Sequence, residues 1–152
     1  MEFENYITGF TDGEGSFCVS FNRRSKMVTN IEVRPSFSIS QHRRNLSVLR
    51  EIRNYFGVGS IRFSKKDQNY KYEVRSINDL TKVIIPHFEK YRLKTSKKND
   101  FLLFSKICKL VVSKHHLNKK YLNEVIDLAY QMNCAGKRKY KKQQLLKFIS
   151  KS

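Results

Sequence analysis

The chain has 152 residues, 39% of them hydrophobic and 12% aromatic, enough apolar side chain for one packed domain and too much for a disordered basic tail. Lys and Arg total 31 against 13 Asp and Glu, a formal charge of +18, which implies a polyanionic partner: nucleic acid first, because phosphate contacts release counterions and offset the self-repulsion. No apolar run is long enough for a membrane span, and neither a cleavable signal peptide nor a lipidation motif is visible, so no membrane partner is expected.

Residues 4–13 read as a short helix, with Gly13 and Gly15 at its end as natural terminators. Alternation then predicts a strand over 16–24: Phe17, Val19 and Phe21 share one side, Ser16, Cys18, Ser20 and Asn22 the other. Arg23–Lys26 is a basic turn. A second strand over 31–41 places Val33, Pro35, Phe37 and Ile39 on one side and Glu32, Arg34, Ser36, Ser38 and Ser40 on the other, with Pro35 arguing for an edge or a bulge. Asn45 is the expected N-cap of a helix through Leu46, Leu49, Ile52 and Phe56, closed by Gly57. Two more strands follow, Ile61–Ser64 and Tyr70–Arg75, joined by a turn at residues 65–69. A helix over 78–91 should bend or divide at Pro86. Ser96 is placed to cap a long helix whose apolar stripe is Phe101, Phe104, Ile107, Cys108, Val111 and Val112, and Asn118 to cap another through Leu122, Val125, Ile126 and Ala129. The tail beyond Gly136 carries seven bases and no acids, with Leu145, Leu146, Phe148 and Ile149 as a last amphipathic turn.

The order is therefore α-β-β-α-β-β-α plus C-terminal helices. This is an α+β fold whose four-stranded antiparallel sheet has one apolar face covered by helices and one wet, basic face. The expected extent is a single domain over 1–152, its core at about 4–115 and a helical, basic extension at about 116–152. Two-stranded ribbons fit the DNA major groove, where Arg and Lys read guanine edges. The outward positions expected to contact DNA are Ser20, Asn22, Arg24, Arg34, Ser36, Ser38, Arg62, Ser64, Lys71, Glu73 and Arg75. Lys26, Lys65, Lys66, Lys114, Lys137, Arg138, Lys139, Lys141 and Lys142 are expected on phosphates. Residues 1–22 run against the overall charge: they hold four acids (Glu2, Glu4, Asp12, Glu14) and no Lys or Arg. Helix N-terminal placement accounts for Glu2 and Glu4. It does not account for Glu14, at the unfavourable end of the same helix dipole, where a carboxylate calls for a nearby cation. The three cysteines (Cys18, Cys108, Cys134) fit neither a zinc site nor a disulfide framework and read as thiols, and the four histidines show no ligand spacing.

The stretch Ile7-Thr8-Gly9-Phe10-Thr11-Asp12-Gly13-Glu14-Gly15 resembles the LAGLIDADG motif of homing endonucleases, with an acid at its eighth position. It departs from the motif at Thr8 and Thr11. Local matches extend the resemblance over roughly 4–115: Ile39-Ser40-Gln41, Phe56-Gly57-Val58-Gly59, and Leu93-Lys94-Thr95-Ser96-Lys97 running into the long helix. The motif occurs once. The resemblance therefore implies a homodimer in which Ile7, Thr8, Gly9 and Phe10 join the motif helices, and a long, roughly palindromic double-stranded DNA site cut once per strand to leave a staggered break. It further implies Mg²⁺ held by Glu14, with the Gly13 carbonyl as a second oxygen; Mn²⁺ is expected to substitute, and Ca²⁺ to bind without supporting cleavage. Gln41 would position water, and Lys94 or Lys97 would stabilise phosphate charge. Asp12 would structure the helix end rather than bind metal. The alternatives are an RNA-binding intron maturase and a catalytically inactive DNA-binding protein of the same fold. Proteins of this kind are often intron-encoded in organelles, so a mitochondrion or chloroplast is the expected compartment, with the nucleus or prokaryotic cytoplasm as alternatives.

Overall fold

The computed structural model describes residues 2–133 and 138–151. Helix α1 (Phe3–Glu14) runs directly into strand β1 (Gly15–Arg23). The junction requires glycine: a Cβ on Gly15 would lie 2.6 Å from Thr11 Cγ2 and 3.0 Å from the Thr11 carbonyl oxygen, which accepts the Gly15 N–H. Strand β2 (Ile31–His42) leads through a 3₁₀ turn (Arg43–Asn45) to α2 (Leu46–Phe56). Asn45 does not cap α2 with its side chain; its Nδ2 donates instead to Gln41 Oε1 at 3.0 Å, and His42 Nδ1 accepts the Arg44 N–H. Gly57 ends α2 in the left-handed region at φ 71, as expected of a helix C-terminal glycine.

Strands β3 (Ser60–Ser64) and β4 (Asn69–Val74) complete a four-stranded antiparallel sheet of order β1-β2-β4-β3. Its register pairs Ser20 with Arg34, Ser38 with Glu73, and Arg62 with Lys71. Pro35 pairs with Val19 of β1, whereas β4 joins β2 only from Phe37 onward. A residue without an N–H thus sits where β2 has one neighbour, which satisfies the edge requirement within a central strand.

Helix α3 (Ile77–Asp79), a π-helical segment (Leu80–Ile84) and α4 (Ile85–Lys90) run into one another. The Ile85 N–H reaches back five residues to the Leu80 carbonyl. This widened turn stands immediately before Pro86, whose ring would otherwise meet the Lys82 carbonyl four residues back. Helix α5 (Lys97–Val112) follows; Ser96 makes no side-chain cap, and Thr95 Oγ1 accepts the Lys97 N–H at 3.3 Å instead. Helices α6 (Lys119–Ala129), capped by Asn118 as expected, and α7 (Lys142–Ser150) close the chain.

The helices cover one face of the sheet. Phe17 is the centre of the core, its ring 5.1–5.4 Å from those of Phe37, Phe88, Phe101 and Phe104. Arg138, expected on phosphate, is instead a clamp: its guanidinium donates to the carbonyls of Val19 (2.7 Å) and Ala129 (2.6 Å) and lies over the Tyr130 ring. It thereby joins the C-terminal segment to the edge strand β1. Cys108 is a buried thiol, but Cys18 is disulfide-bonded, contrary to its reading as a thiol. Cys134, Gly136 and Lys137 lie outside the described residues.

Candidate active site

Helix α1 carries Glu14 to its C-terminal end, where the side chain is exposed at a cavity of about 470 Å³. Ser16, Ser38, Ser40 and Lys71 of the sheet line the same cavity, together with Lys97 and Asp100 of α5 and Asn133 beyond α6. A helix C-terminus and a carboxylate at one point concentrate negative potential there. Lys97 answers part of it. Its Nζ donates to the Thr11 carbonyl at 2.9 Å and to the Asp12 carbonyl at 3.2 Å. Burial pushes the Lys97 ammonium below its ordinary pKa, while the charges of Asp12, Asp100 and Glu14 resist that shift.

Asp12 fixes where Lys97 starts. Its Oδ2 accepts the Lys94 N–H at 2.9 Å, and its Oδ1 accepts the N–H (3.1 Å) and hydroxyl (2.8 Å) of Thr95. Burial pushes this carboxyl up. The N–H of Lys94, the hydroxyl and N–H of Thr95 and the Lys97 charge together outweigh burial, so the group is held below the usual carboxylate range. One side chain of α1 thus anchors the loop that delivers α5, and Lys97 lands on the end of the same helix.

This arrangement separates the two candidate lysines. Lys97 lines the Glu14 cavity; Lys94 does not, its backbone N–H being engaged by Asp12 and its side chain exposed. Gln41 does not line the cavity either. By strand alternation it follows Phe37 and Ile39 rather than Ser38 and Ser40, and its amide oxygen is taken by Asn45. Asp100 and Asn133 were not foreseen. Asp100 follows Lys97 by three residues on one helix, a spacing that puts both on one side and that could have flagged it. Asp100 Oδ1 accepts the Asn133 N–H at 3.0 Å, which brings the segment after α6 to the cavity; no local pattern in the sequence announces that.

Among the described residues no group of three or more His, Cys, Asp or Glu side chains is placed to hold a metal ion. The oxygen donors at the end of α1 do suit a hard cation: Glu14 offers a solvent-open carboxylate, and Gly13 beside it would crowd nothing within 4 Å even with a Cβ. One carboxylate per chain is an incomplete shell that substrate oxygens or a second copy would have to finish.

Of the four residues read as a subunit contact, Ile7 and Thr8 turn into the chain's own core. Ile7 is fully buried, and Thr8 Oγ1 donates to the Tyr91 carbonyl and pairs with His87 Nε2 at 3.2 Å. Gly9 and Phe10 lie on the outer face, where Phe3, Tyr6 and Phe10 form a run of stacked rings. A Cβ on Gly9 would touch nothing within 4 Å among the described residues, so its smallness serves no packing there.

On the other face of the sheet Ser20, Arg34, Arg62, Ser64 and, just past β4, Arg75 are exposed, and Asn22, Ser36 and Lys71 are partly so; Arg24, Lys26 and Lys66, in the turns, and Lys139, in the C-terminal segment, are also exposed. Ser38 and Glu73 are buried. Glu73 is held by Arg62, Lys71 and Arg75, and Glu32 by Arg24 and Arg34.

A motif helix ending in Glu14, the αββαββα order and the basic sheet together define the LAGLIDADG class of fold, and the chain belongs to that family: the LAGLIDADG endonuclease family model matches residues 7–108. A protein of Neurospora crassa described as probable intron-encoded endonuclease 3 is 36% identical over 127 residues, covering 83% of this chain and 24% of that protein. The chain thus spans about a quarter of the length of that fungal relative. Homing endonuclease I-ApeII of Aeropyrum pernix is 29% identical over 154 residues, covering 96% of this chain and 89% of its own. Among solved structures, the archaeal intron-encoded homing endonuclease I-Vdi141I complexed with DNA superposes with a TM-score of 0.89 at 34% identity, covering 98% of this chain and 95% of the other. I-SmaMI, bound to an uncleaved DNA target in the presence of calcium ions, gives a TM-score of 0.83 at 36% identity over 86% of this chain and 44% of its own. No helix among the described residues is long and apolar enough to cross a membrane.

Proposed function

We propose that the chain is a site-specific homing endonuclease that binds double-stranded DNA as a homodimer and hydrolyses one phosphodiester per strand with Mg²⁺, leaving a staggered break. The observation that carries this reading is the convergence of Glu14 and Lys97 on one cavity whose far wall is the outward face of the sheet. Glu14 holds the cation, with the Gly13 carbonyl as a second oxygen. When bound, the ion polarises the scissile phosphate and acidifies water. The Lys97 ammonium, fixed on the α1 carbonyls, lies where negative charge grows on the phosphate. The sheet supplies register through its exposed bases.

The single motif supports pairing with a second copy, because one Glu14 is half of a two-strand site. The outer face of α1, with Tyr6, Gly9 and Phe10, is the surface such a copy fits. Mn²⁺ substitutes for Mg²⁺, and Ca²⁺ supports binding without cleavage. An organelle is the proposed compartment. The test is Glu14→Gln, assayed for binding and cleavage of a selected duplex in Mg²⁺: binding persists and cleavage is lost. Undiminished cleavage would overturn the mechanism, and a monomeric complex in sedimentation would overturn the pairing.

A further inference from the structure

Glu73 is an acid at the middle of a predominantly basic face, and it is buried there. It stands on β4 between Ser38 of β2 and Ser60 of β3, with its side chain only 5% exposed. Three cations converge on it. Arg62 Nη2 lies 2.8 Å and Arg75 Nε 2.9 Å from Oε1, and Lys71 Nζ lies 3.5 Å from Oε2. Both carboxylate oxygens are therefore ion-paired, and the group has almost no accessible surface with which to accept a hydrogen bond from a base. The cations are the reverse: their side chains are 59%, 54% and 45% exposed for Arg62, Arg75 and Lys71.

A guanidinium has five N–H donors in a rigid plane. Arg62 uses an Nη2 donor on Glu73, whereas Arg75 is ion-paired to the same oxygen through the Nε side of its guanidinium, which leaves terminal N–H groups of each fork uncommitted to the acid. A long, flexible side chain held at one nitrogen loses its rotamer freedom before binding rather than during it. Two forks tied to one buried oxygen are also fixed relative to each other. For an acid this buried, desolvation offsets much of the Coulombic attraction to its partners, so the three-cation cluster is not explained by a gain in folding stability. On the proposed DNA-binding reading, we infer that Glu73 is a positioning residue for specificity: it reads no base itself, but aims the guanidiniums of Arg62 and Arg75 so that they discriminate bases as a unit. Glu32 repeats the arrangement more loosely with Arg24 and Arg34.

The experiment compares wild type, Glu73→Gln and Arg62→Gln by selection from a randomised duplex library in Ca²⁺, with the salt dependence of binding to an unrelated duplex measured alongside. For Glu73→Gln, discrimination at one adjacent group of base positions falls about tenfold, the scale of a bidentate Arg–guanine contact. Other positions keep their preference, and binding to unrelated duplex is as tight as before or tighter, since a negative charge has gone. Arg62 is exposed, so Arg62→Gln tests the same coupling should the buried substitution fail to fold; it weakens preference within the same group of positions. An unchanged preference profile in a folded Glu73→Gln protein overturns the inference. So does loss confined to a cytosine-reading position, which would make Glu73 itself the reader, and so does an Arg62→Gln profile equal to wild type. A wild-type protein that selects no duplex refutes the DNA-binding reading itself, a result distinct from all of these.

Discussion

Asp12→Asn tests the connection between the motif helix and the loop before α5. The aspartate accepts hydrogen bonds from the Lys94 N–H, the Thr95 N–H and the Thr95 hydroxyl, at 2.9, 3.1 and 2.8 Å. Asparagine retains one acceptor oxygen and turns the other into a donor. With its oxygen kept on Thr95, its NH₂ faces the Lys94 N–H. One charge-assisted bond, worth about 1.5–3 kcal/mol, is lost, and the two that remain become neutral and weaker. Water reaches this cluster and replaces part of what is lost, so the expected destabilisation at pH 7 is about 2 kcal/mol. Urea unfolding would show a lower midpoint with an unchanged slope. The pH dependence adds a second constraint. A carboxyl held below its ordinary range contributes stability above that range and loses it as pH falls through the folded-state value. The gap between wild type and Asp12→Asn should thus persist from pH 7 to 5 and close below about pH 4. A gap under about 0.5 kcal/mol at pH 7, or one that stays constant down to pH 2, would refute the role given to these three bonds.

Lys97→Met should lower single-turnover cleavage by about a hundredfold or more, while Lys94→Met stays within about threefold, because of these two lysines Lys97 alone lines the Glu14 cavity. Burial lowers the His87 pKa to about 4, with the charge of Glu4 opposing, so between pH 6.5 and 4 the unfolded chain binds the proton that the folded one refuses. Stability should therefore fall by up to about 3 kcal/mol across that window on acidification, and calorimetry of His87→Gln should show that limb flattened. The Thr11 hydroxyl is buried with no hydrogen-bond partner among the described residues. Thr11→Val should leave the melting temperature equal or raised, by up to about 1 kcal/mol in stability; a loss larger than that would mean the hydroxyl is bonded.

Much of the architecture was legible because strand alternation and helix periodicity are local. Phe17, Val19 and Phe21 could be assigned to the covered face of β1, and Ser20 and Arg34 to the open one, from spacing alone. Elements with weak local signals were less legible. The expected caps at Asn45 and Ser96 failed because a nearby side chain offered a competing partner: Gln41, four residues back, for Asn45, and Thr95, the residue before Ser96, for the start of α5. The bend expected at Pro86 was resolved as a π turn just before it, a choice among helix geometries that proline itself does not dictate.

The sequence by itself determined that the protein has a motif helix ending in an acid, two basic hairpins and a +18 charge, and these suffice to place it in its family. Each is a property of neighbouring residues or of composition, and needs no knowledge of what packs on what. The tertiary structure decided the rest. Lys97 rather than Lys94 lies at Glu14 because Asp12, more than eighty residues earlier, holds the loop that starts α5. Ile7 and Thr8 face inward while Gly9 and Phe10 remain outside because the β-sheet and the Thr8–His87 contact set the rotation of α1. Glu73 is buried among three cations because β2 and β3 flank it. Contacts between residues far apart in the chain have no periodicity to betray them; they exist only once the hydrophobic faces have been brought together.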